Sequence, residues 1–148
     1  MKAPNFKLPS SSGNTFQLSD YIGKNLILYF YPKDNTKGCS IEANDFNNSI
    51  DLIKKYNAIV IGISKDTIDS HIKFIDKNKF KFELLSDEKT VVIKKYNAWG
   101  LKKFLGKEYY GIIRSTFLID KKGNIVKTWK NVRVKNHVKN VISELNKI

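Results

Sequence analysis

The chain has 148 residues, a formal net charge of +13, one cysteine and two histidines. This length suits one domain, spanning residues 1–148, with a core large enough to need no disulfide or structural metal. The lone cysteine excludes an internal disulfide and a zinc site built from several thiolates, and no stretch approaches the roughly 20 apolar residues of a membrane span. Because a signal-peptide pattern is also missing, we expect a cytoplasmic protein without a membrane partner.

The positive charge raises the question of a nucleic-acid partner. Of the 27 basic residues only Arg114 and Arg133 are arginine, and the lysines are spread along the chain without a dense block. Arginine is the usual residue for contacts with base edges. We therefore expect solvated surface lysines and no specific nucleic-acid partner, with a protein that binds through its basic surface as an alternative.

The hydrophobic pattern predicts strands that alternate with helices. We expect an extended start, a single helical turn over 19–23 and a long connection over 97–113. Strands are predicted at 15–18, 25–31, 58–64, 82–86, 115–120 and 125–132, and helices at 39–56, 66–79, 87–96 and 136–147. This order predicts an α/β fold with a central mixed β-sheet flanked by helices.

Cys39 lies just beyond the first long apolar run, Leu26 to Tyr31, at the start of a predicted helix. Binding crevices form at the carboxyl ends of strands in such sheets. A cysteine at a helix N-terminus ionises more readily than a free one. Cys39 is therefore a candidate nucleophile, and the alternative is a small buried side chain that packs as a hydrophobe.

Three neighbours support a reactive cysteine. Thr36 precedes Cys39 by one helical turn, where its hydroxyl would cap the helix or contact the sulfur. Pro32 fixes the chain as it leaves the strand and would exclude water from one side. Arg114 is a rare arginine in a lysine-rich chain, which indicates a semi-buried site that needs a planar charged fork, either for the sulfur or for a structural ion pair.

The spacing Pro32-x-x-x-Thr36-x-x-Cys39 resembles the peroxiredoxin active-site motif. The resemblance implies a thioredoxin-like fold in which Cys39 attacks hydrogen peroxide or an alkyl hydroperoxide and becomes a sulfenic acid. It also implies that Thr36 and Arg114 hold the thiolate and polarise the peroxide, that Pro32 shields the sulfur, that no cofactor or metal takes part, and that the protein is a monomer. Further segments are similar to the peroxiredoxin Q branch, also called bacterioferritin comigratory protein, at 3–9, 29–33, 38–43, 84–87, 99–100 and 111–120.

The chain departs from that branch at Asn44, where many members carry a second, resolving cysteine. We therefore expect an external thiol, such as thioredoxin, glutaredoxin or glutathione, to reduce the sulfenic acid, with Cys39 of another subunit as a sterically poorer alternative. Loss of the resolving cysteine also leaves open a peroxide sensor with little turnover. A dithiol oxidoreductase is excluded, because Glu42 stands where Cys-x-x-Cys needs its second cysteine.

Overall fold

A computed structural model describes residues 1–148, which form nine strands and five helices. The strands are β1 (Lys7–Pro9), β2 (Thr15–Gln17), β3 (Asn25–Phe30), β4 (Ala58–Ser64), β5 (Glu83–Ser86), β6 (Trp99–Phe104), β7 (Lys107–Ile112), β8 (Ser115–Ile119) and β9 (Ile125–Trp129). The helices are α1 (Lys37–Asn48), α2 (Ile50–Lys55), α3 (Ile68–Asn78), α4 (Val91–Lys95) and α5 (His137–Leu145). A 3-10 turn, Leu18–Tyr21, follows β2.

Five strands form the central sheet in the order β5-β4-β3-β8-β9. The strands β3, β4 and β5 are parallel, whereas β8 is antiparallel to β3 and β9 is antiparallel to β8. The sheet is therefore mixed, as the sequence predicts. All six residues of β3 are buried, because this strand has neighbours on both edges and packed layers on both faces.

Alternate side chains of β3 point into two hydrophobic layers. Leu26, Leu28 and Phe30 pack with α4 and the β1–β2 hairpin on one face. Ile27 and Tyr29 pack with α1, α2, α3 and α5 on the other face, which also holds the cysteine. The sheet therefore separates the side that carries the candidate nucleophile from the side that serves only as core.

The single helix predicted over 39–56 is wrong, because the structure contains two helices with a break at Ser49. The φ and ψ angles of Ser49 are −104° and 8°, and its amide donates to the carbonyl of Phe46 at 3.1 Å. Asn47, Asn48 and Ser49 are poor helix formers, since their side chains compete for backbone hydrogen bonds. This run of polar residues ends α1, and α2 starts directly after it at Ile50.

The long connection predicted over 97–113 is also wrong, because it folds as the antiparallel β6–β7 hairpin. Leu105 and Gly106 form its two-residue turn with φ angles of 51° and 78°. A two-residue turn in which both residues have positive φ angles matches the right-handed twist of the strands that it joins. The hairpin forms a two-stranded sheet of its own. It carries exposed apolar side chains that the sequence analysis did not predict: Leu101, Phe104, Leu105, Tyr109 and Tyr110.

None of the five helices has both the length and the apolar character needed to cross a membrane.

Candidate active site

The cysteine reaches its place through a short loop between β3 and α1. Thr36 has extended φ and ψ angles of −83° and 156° and is the residue before the first turn of the helix. Cys39 follows in that first turn, with only 1% of its surface exposed. Its sulfur therefore lies at the positive end of the α1 dipole, in the layer of packed side chains on that face of the sheet.

Arg114 lies between β7 and β8 and uses its planar fork to contact two residues of α1. Its Nη2 donates to Cys39 Sγ at 3.3 Å, and its Nη1 donates to Glu42 Oε1 at 2.7 Å. A Cβ atom at Gly38 would lie 3.2 Å from Nη2, so the missing side chain there gives the guanidinium room. Arg114 therefore forms an ion pair with Glu42 and also contacts the cysteine.

Glu42 is fully buried beneath the arginine, on the same face of α1 as Cys39. Its Oε2 has no hydrogen-bond partner and lies 3.9 Å from His137 Nε2 at the start of α5. Burial raises the pKa of Glu42 to about 7, although Arg114 acts in the opposite direction. A half-satisfied carboxyl in this position is costly, which is typical of a functional site.

His137 is buried against the other side of the same carboxyl and shares a hydrogen bond of 2.8 Å with the Thr116 hydroxyl. Burial and the nearby Arg114 lower the pKa of His137 to about 4, so the ring is neutral at pH 7. Arg114 keeps its charge, because Glu42 and Cys39 raise its pKa against the effect of burial. The Cys39 cluster, as we call these side chains, consists of Cys39, Glu42, Arg114, Thr116 and His137.

The two remaining predicted site residues lie close to the cysteine but do not contact its sulfur through a hydrogen bond. The Thr36 hydroxyl donates to the Lys33 carbonyl at 2.9 Å, so it neither caps α1 nor binds Cys39 in this state. The Thr36 side chain therefore points towards the loop between β3 and α1 instead of towards the sulfur. Pro32 is half-buried and lines a cavity of about 400 Å³ together with Arg114.

That cavity leads from the surface to the guanidinium. Its walls come from the loop after β3, the β6–β7 hairpin and the segment after β9, and they comprise Pro32, Leu101, Lys102, Lys103, Ile113, Arg114, Asn131 and Val132. Cys39 does not line this cavity, and its sulfur lies 3.3 Å from Nη2 of Arg114. A small molecule in the cavity would therefore contact the same guanidinium that contacts the sulfur.

A second polar network fixes the loop that delivers the cysteine. Asp34 Oδ1 accepts from the Tyr31 hydroxyl at 2.6 Å, and its Oδ2 accepts from the Ser70 hydroxyl at 2.8 Å and lies 2.8 Å from His71 Nδ1. The other ring nitrogen of His71 donates to the Leu85 carbonyl at 2.9 Å. The Asp34 cluster, comprising Tyr31, Asp34, Ser70 and His71, therefore ties the loop to α3 and β5.

Asp34, Asp66 and His71 form the one group of side chains whose atoms are spaced for a metal ion. Asp66 Oδ2 already accepts from the Asp34 amide at 2.9 Å and from the Ser64 hydroxyl at 2.6 Å. Both ring nitrogens of His71 also have protein partners. Because the candidate ligand atoms are used within the protein, the group fits a structural network better than a metal centre.

Sequence reasoning missed the roles of Glu42, His137, Asp34 and His71. Glu42 had a local signal, because residues three apart on a helix share a face and it follows Cys39 at that spacing. The other three residues have no comparable signal, since their partners lie far away along the chain. Asp34 and His71, for example, are 37 residues apart.

Comparisons with known proteins identify relatives of this chain in sequence and in fold. The model of the AhpC/TSA family matches residues 1–128. Peroxiredoxin Bcp of Bacillus subtilis is 46% identical over 97% of this chain and 92% of its own length, and that of Escherichia coli is 39% identical over 91% and 86%. The solved structure of a peroxiredoxin Q mutant from Xylella fastidiosa superposes with a TM-score of 0.94 at 36% identity, covering 99% of this chain and 94% of the other.

The chain belongs to the AhpC/TSA family, and thiol-dependent reduction of peroxides is its activity. Its similarity to the Bcp and peroxiredoxin Q proteins confirms the resemblance seen in the sequence. The same similarity confirms the thioredoxin-like fold, with a central mixed sheet flanked by helices. The substrate is therefore a peroxide and the reductant a thiol.

Proposed function

We propose that Cys39 is the peroxidatic nucleophile and that it works without a second cysteine in the chain. The observation that carries this proposal is the hydrogen bond of 3.3 Å from Arg114 Nη2 to Cys39 Sγ at the start of α1. A guanidinium donor and a helix N-terminus both favour an anion at the sulfur. No other sulfur nucleophile exists in the sequence.

The helix N-terminus and Arg114 make contributions of similar scale. A helix N-terminus stabilises a nearby anion by about 0.3 to 1 kcal/mol at an exposed site and by up to about 2 kcal/mol in a partly buried geometry, and Cys39 is buried. A hydrogen bond to a charged group contributes about 1.5 to 3 kcal/mol. The thiolate at Cys39 therefore depends on both the arginine and α1.

In the first half-reaction the thiolate attacks the outer oxygen of a hydroperoxide. An S–O bond forms and the O–O bond breaks, so that Cys39 becomes a sulfenic acid and an alkoxide or hydroxide leaves. Arg114 lines the cavity and contacts the sulfur, so its remaining N–H groups can align the two peroxide oxygens. Pro32 supplies a wall without an N–H donor that would compete for them.

Thr36 takes part only after its hydroxyl turns from Lys33. The hydrogen bond of 2.9 Å to the Lys33 carbonyl leaves the oxygen lone pairs free, and the side chain is exposed. A rotation about one side-chain bond would bring the hydroxyl towards an incoming peroxide. We therefore assign Thr36 to substrate positioning.

In the second half-reaction an external thiol attacks the sulfenic sulfur, water leaves, and a mixed disulfide forms. A second thiol then releases Cys39 as the thiol and becomes oxidised itself. Asn44 cannot replace a resolving cysteine, and its amide instead donates to the Ser40 carbonyl at 2.9 Å. Thioredoxin, glutaredoxin and glutathione are the reductants that fit a monomer with one cysteine in a reducing compartment such as the cytoplasm.

The test is stopped-flow oxidation of the reduced protein by hydrogen peroxide, followed through the fluorescence of Trp99 and Trp129. We expect a fast phase that is absent in Cys39→Ser, and a glutathione adduct on Cys39 by mass spectrometry after peroxide and glutathione are added. A rate equal to that of an ordinary free thiol would contradict the proposal. Fast oxidation with negligible turnover under all three reductants would favour a peroxide sensor instead.

A further inference from the structure

The first half-reaction needs a proton donor for the leaving oxygen, and neither Cys39, Arg114 nor Glu42 supplies one. The departing alkoxide or hydroxide is a strong base and needs a proton as the O–O bond breaks. Arg114 does not release a proton in proteins. Glu42 lies behind the arginine, where its Oε1 contacts Nη1, and it does not line the cavity. A proton donor is therefore needed on the cavity side of Arg114.

Lys102 on β6 is a side chain in the right place. It is half-buried and lines the cavity together with Pro32 and Arg114. Its Nζ donates to the Ile112 carbonyl at 2.9 Å, two residues before Arg114 in the chain. This bond uses one of the three ammonium hydrogens and leaves the other two for a bound molecule.

The hairpin also fixes the path of the lysine side chain. A Cβ atom at Gly111 would lie 3.3 Å from Lys102 Cδ, so the aliphatic part of the lysine passes over a strand position that has no side chain. A larger residue at 111 would crowd this path. The ammonium is thus held against the base of β7 instead of moving freely in solvent, as an exposed lysine does.

The surroundings make this ammonium a better acid than an exposed lysine. Burial lowers the pKa of Lys102, and the charge of Arg114 lowers it further, while Cys39 acts in the opposite direction. The pKa of Lys102 therefore responds to the charges of Arg114 and Cys39, the two groups of the proposed reaction.

We propose that Lys102 is a further catalytic residue, whose ammonium donates the proton to the oxygen that leaves as Cys39 Sγ takes the outer peroxide oxygen. The step is balanced, because the alkoxide and the lysine ammonium give an alcohol and a neutral lysine amine. The amine regains its proton from water before the next turnover. The proposal rests on the proposed function, since it needs Cys39 as the nucleophile.

The experiment compares two oxidants that differ in their leaving groups. tert-Butyl hydroperoxide expels a strongly basic alkoxide, whereas peracetic acid expels acetate, which needs no proton. We expect Lys102→Gln to slow oxidation of Cys39 by tert-butyl hydroperoxide by about 100-fold, the lower end of the range for general acid catalysis. With peracetic acid the rate should stay within a few-fold of the unchanged protein.

Two further variants separate proton donation from electrostatic attraction or hairpin structure. Lys102→Arg keeps the charge but supplies no proton, so it should be as slow as Lys102→Gln. Lys107→Gln removes an exposed charge from the same hairpin without lining the cavity and should react normally. Circular dichroism and the Tm should show that all three variants are folded.

Recovery of the rate in Lys102→Arg, or an equal loss with both oxidants, would overturn the role of Lys102 while the fast phase of the unchanged protein still supports Cys39. Absence of that fast phase from the unchanged protein would overturn both proposals. The two failures are therefore distinguishable in one set of measurements.

Discussion

The Cys39 cluster and the Asp34 cluster are both buried polar networks beside the loop after β3, yet they differ in how completely their atoms are paired. Both oxygens of Asp34 and both ring nitrogens of His71 have partners. In the Cys39 cluster, Oε2 of Glu42 has none. The Asp34 carboxylate therefore has hydrogen-bond partners for both oxygens, whereas the Glu42 carboxylate has a partner for only one.

A satisfied network holds one geometry, because every alternative would leave a buried polar atom without a partner. A partly satisfied network keeps charge available for a reacting group at a cost in stability. We therefore expect the Asp34 cluster to position the loop and the Cys39 cluster to take part in the reaction. Substitutions in the Cys39 cluster should therefore lower the oxidation rate, and substitutions in the Asp34 cluster should lower the stability of the fold.

Replacing the arginine should give the largest effect. Arg114→Lys keeps the positive charge but places all its donors on one nitrogen, so it does not reproduce the parallel contacts of Nη1 with Glu42 and of Nη2 with Cys39. We expect the rate of Cys39 oxidation by hydrogen peroxide to fall by about 1,000-fold, as when a preorganised donor is removed from other active sites. Stopped-flow fluorescence measures this rate.

The matched control is Arg133→Lys, since Arg133 is the other arginine and its side chain is exposed. It should oxidise at the rate of the unchanged protein. If Arg114→Lys also kept its rate within a few-fold, positive charge alone would account for the reactivity of Cys39, and the bidentate contact would have no catalytic role.

Removing the charge of Asp34 should mainly reduce stability. Asp34→Asn places an amide among the three donors that now face a carboxylate, which leaves buried polar groups unpaired. We expect the free energy of unfolding to fall by about 3 kcal/mol, the usual scale for breaking a buried charged network. Urea denaturation measures it, while the oxidation rate of the folded protein should change by less than tenfold.

Asp76→Asn is the control for this prediction, because Asp76 is an exposed acid on α3, the helix that carries His71. Its unfolding midpoint should not move. A variant Asp34→Asn that stayed fully stable but lost its oxidation rate would place Asp34 in the catalytic machinery and remove the distinction between the clusters.

Local patterns in the sequence predict the parts of the fold that depend on local physics. Leu26 to Phe30 of β3 appear in the sequence as an uninterrupted apolar run, because a strand covered on both faces has no polar side. The β6–β7 hairpin was not predicted, since Leu105 is an unusual residue for a turn position with a positive φ angle. The exposed strands of that hairpin also lack the buried face that gives a strand its alternating pattern.

The same division applies to the site. Cys39 stands out as the sole cysteine, and Arg114 stands out as a rare arginine placed directly before a predicted strand, so composition and position together identify them. His137 reaches Glu42 only because α5 packs on the same face of the sheet as α1, which no pattern in either helix encodes. The direction of the Thr36 hydroxyl depends on a hydrogen bond within its own loop, and the spacing of the motif does not determine it.

The third prediction concerns pH, and it separates the two titrating groups of the Cys39 cluster. The pKa of Glu42 is raised to about 7, so between about pH 4.5 and 7 the folded state holds a proton that the unfolded state has released. Stability from Glu42 therefore falls as the pH rises. The pKa of His137 is lowered to about 4, so between about pH 4 and 6.5 only the unfolded state is protonated there, and stability falls as the pH drops.

In the unchanged protein these two slopes oppose each other between about pH 4.5 and 6.5. Glu42→Gln should leave the His137 slope alone, and its stability should fall on acidification by at most about 1.4 kcal/mol per pH unit. His137→Gln should show the reverse slope. Urea denaturation across this range tests both, and Glu88→Gln, at an exposed carboxyl, should keep the profile of the unchanged protein.

Flat profiles in both Glu42→Gln and His137→Gln would show that the two groups share one proton, because removal of either group would then abolish the titration. The unpaired Oε2 would then have a proton-mediated partner in His137, at 3.9 Å. The Cys39 cluster would in that case be as fully satisfied as the Asp34 cluster, and the contrast between them would rest on Arg114 alone.

The smallest effect should come from Asn44, which links the helices of the two clusters. Its Nδ2 donates to the Ser40 carbonyl at 2.9 Å within α1 and lies 3.3 Å from Asn78 Oδ1 on α3. Asn44→Ala should cost about 1 kcal/mol of unfolding free energy, the net contribution of a typical hydrogen bond, and should leave Cys39 oxidation unchanged. A clear loss of rate would instead mean that α3 and the Asp34 cluster act on Cys39 through this side chain, so that the two networks work as one.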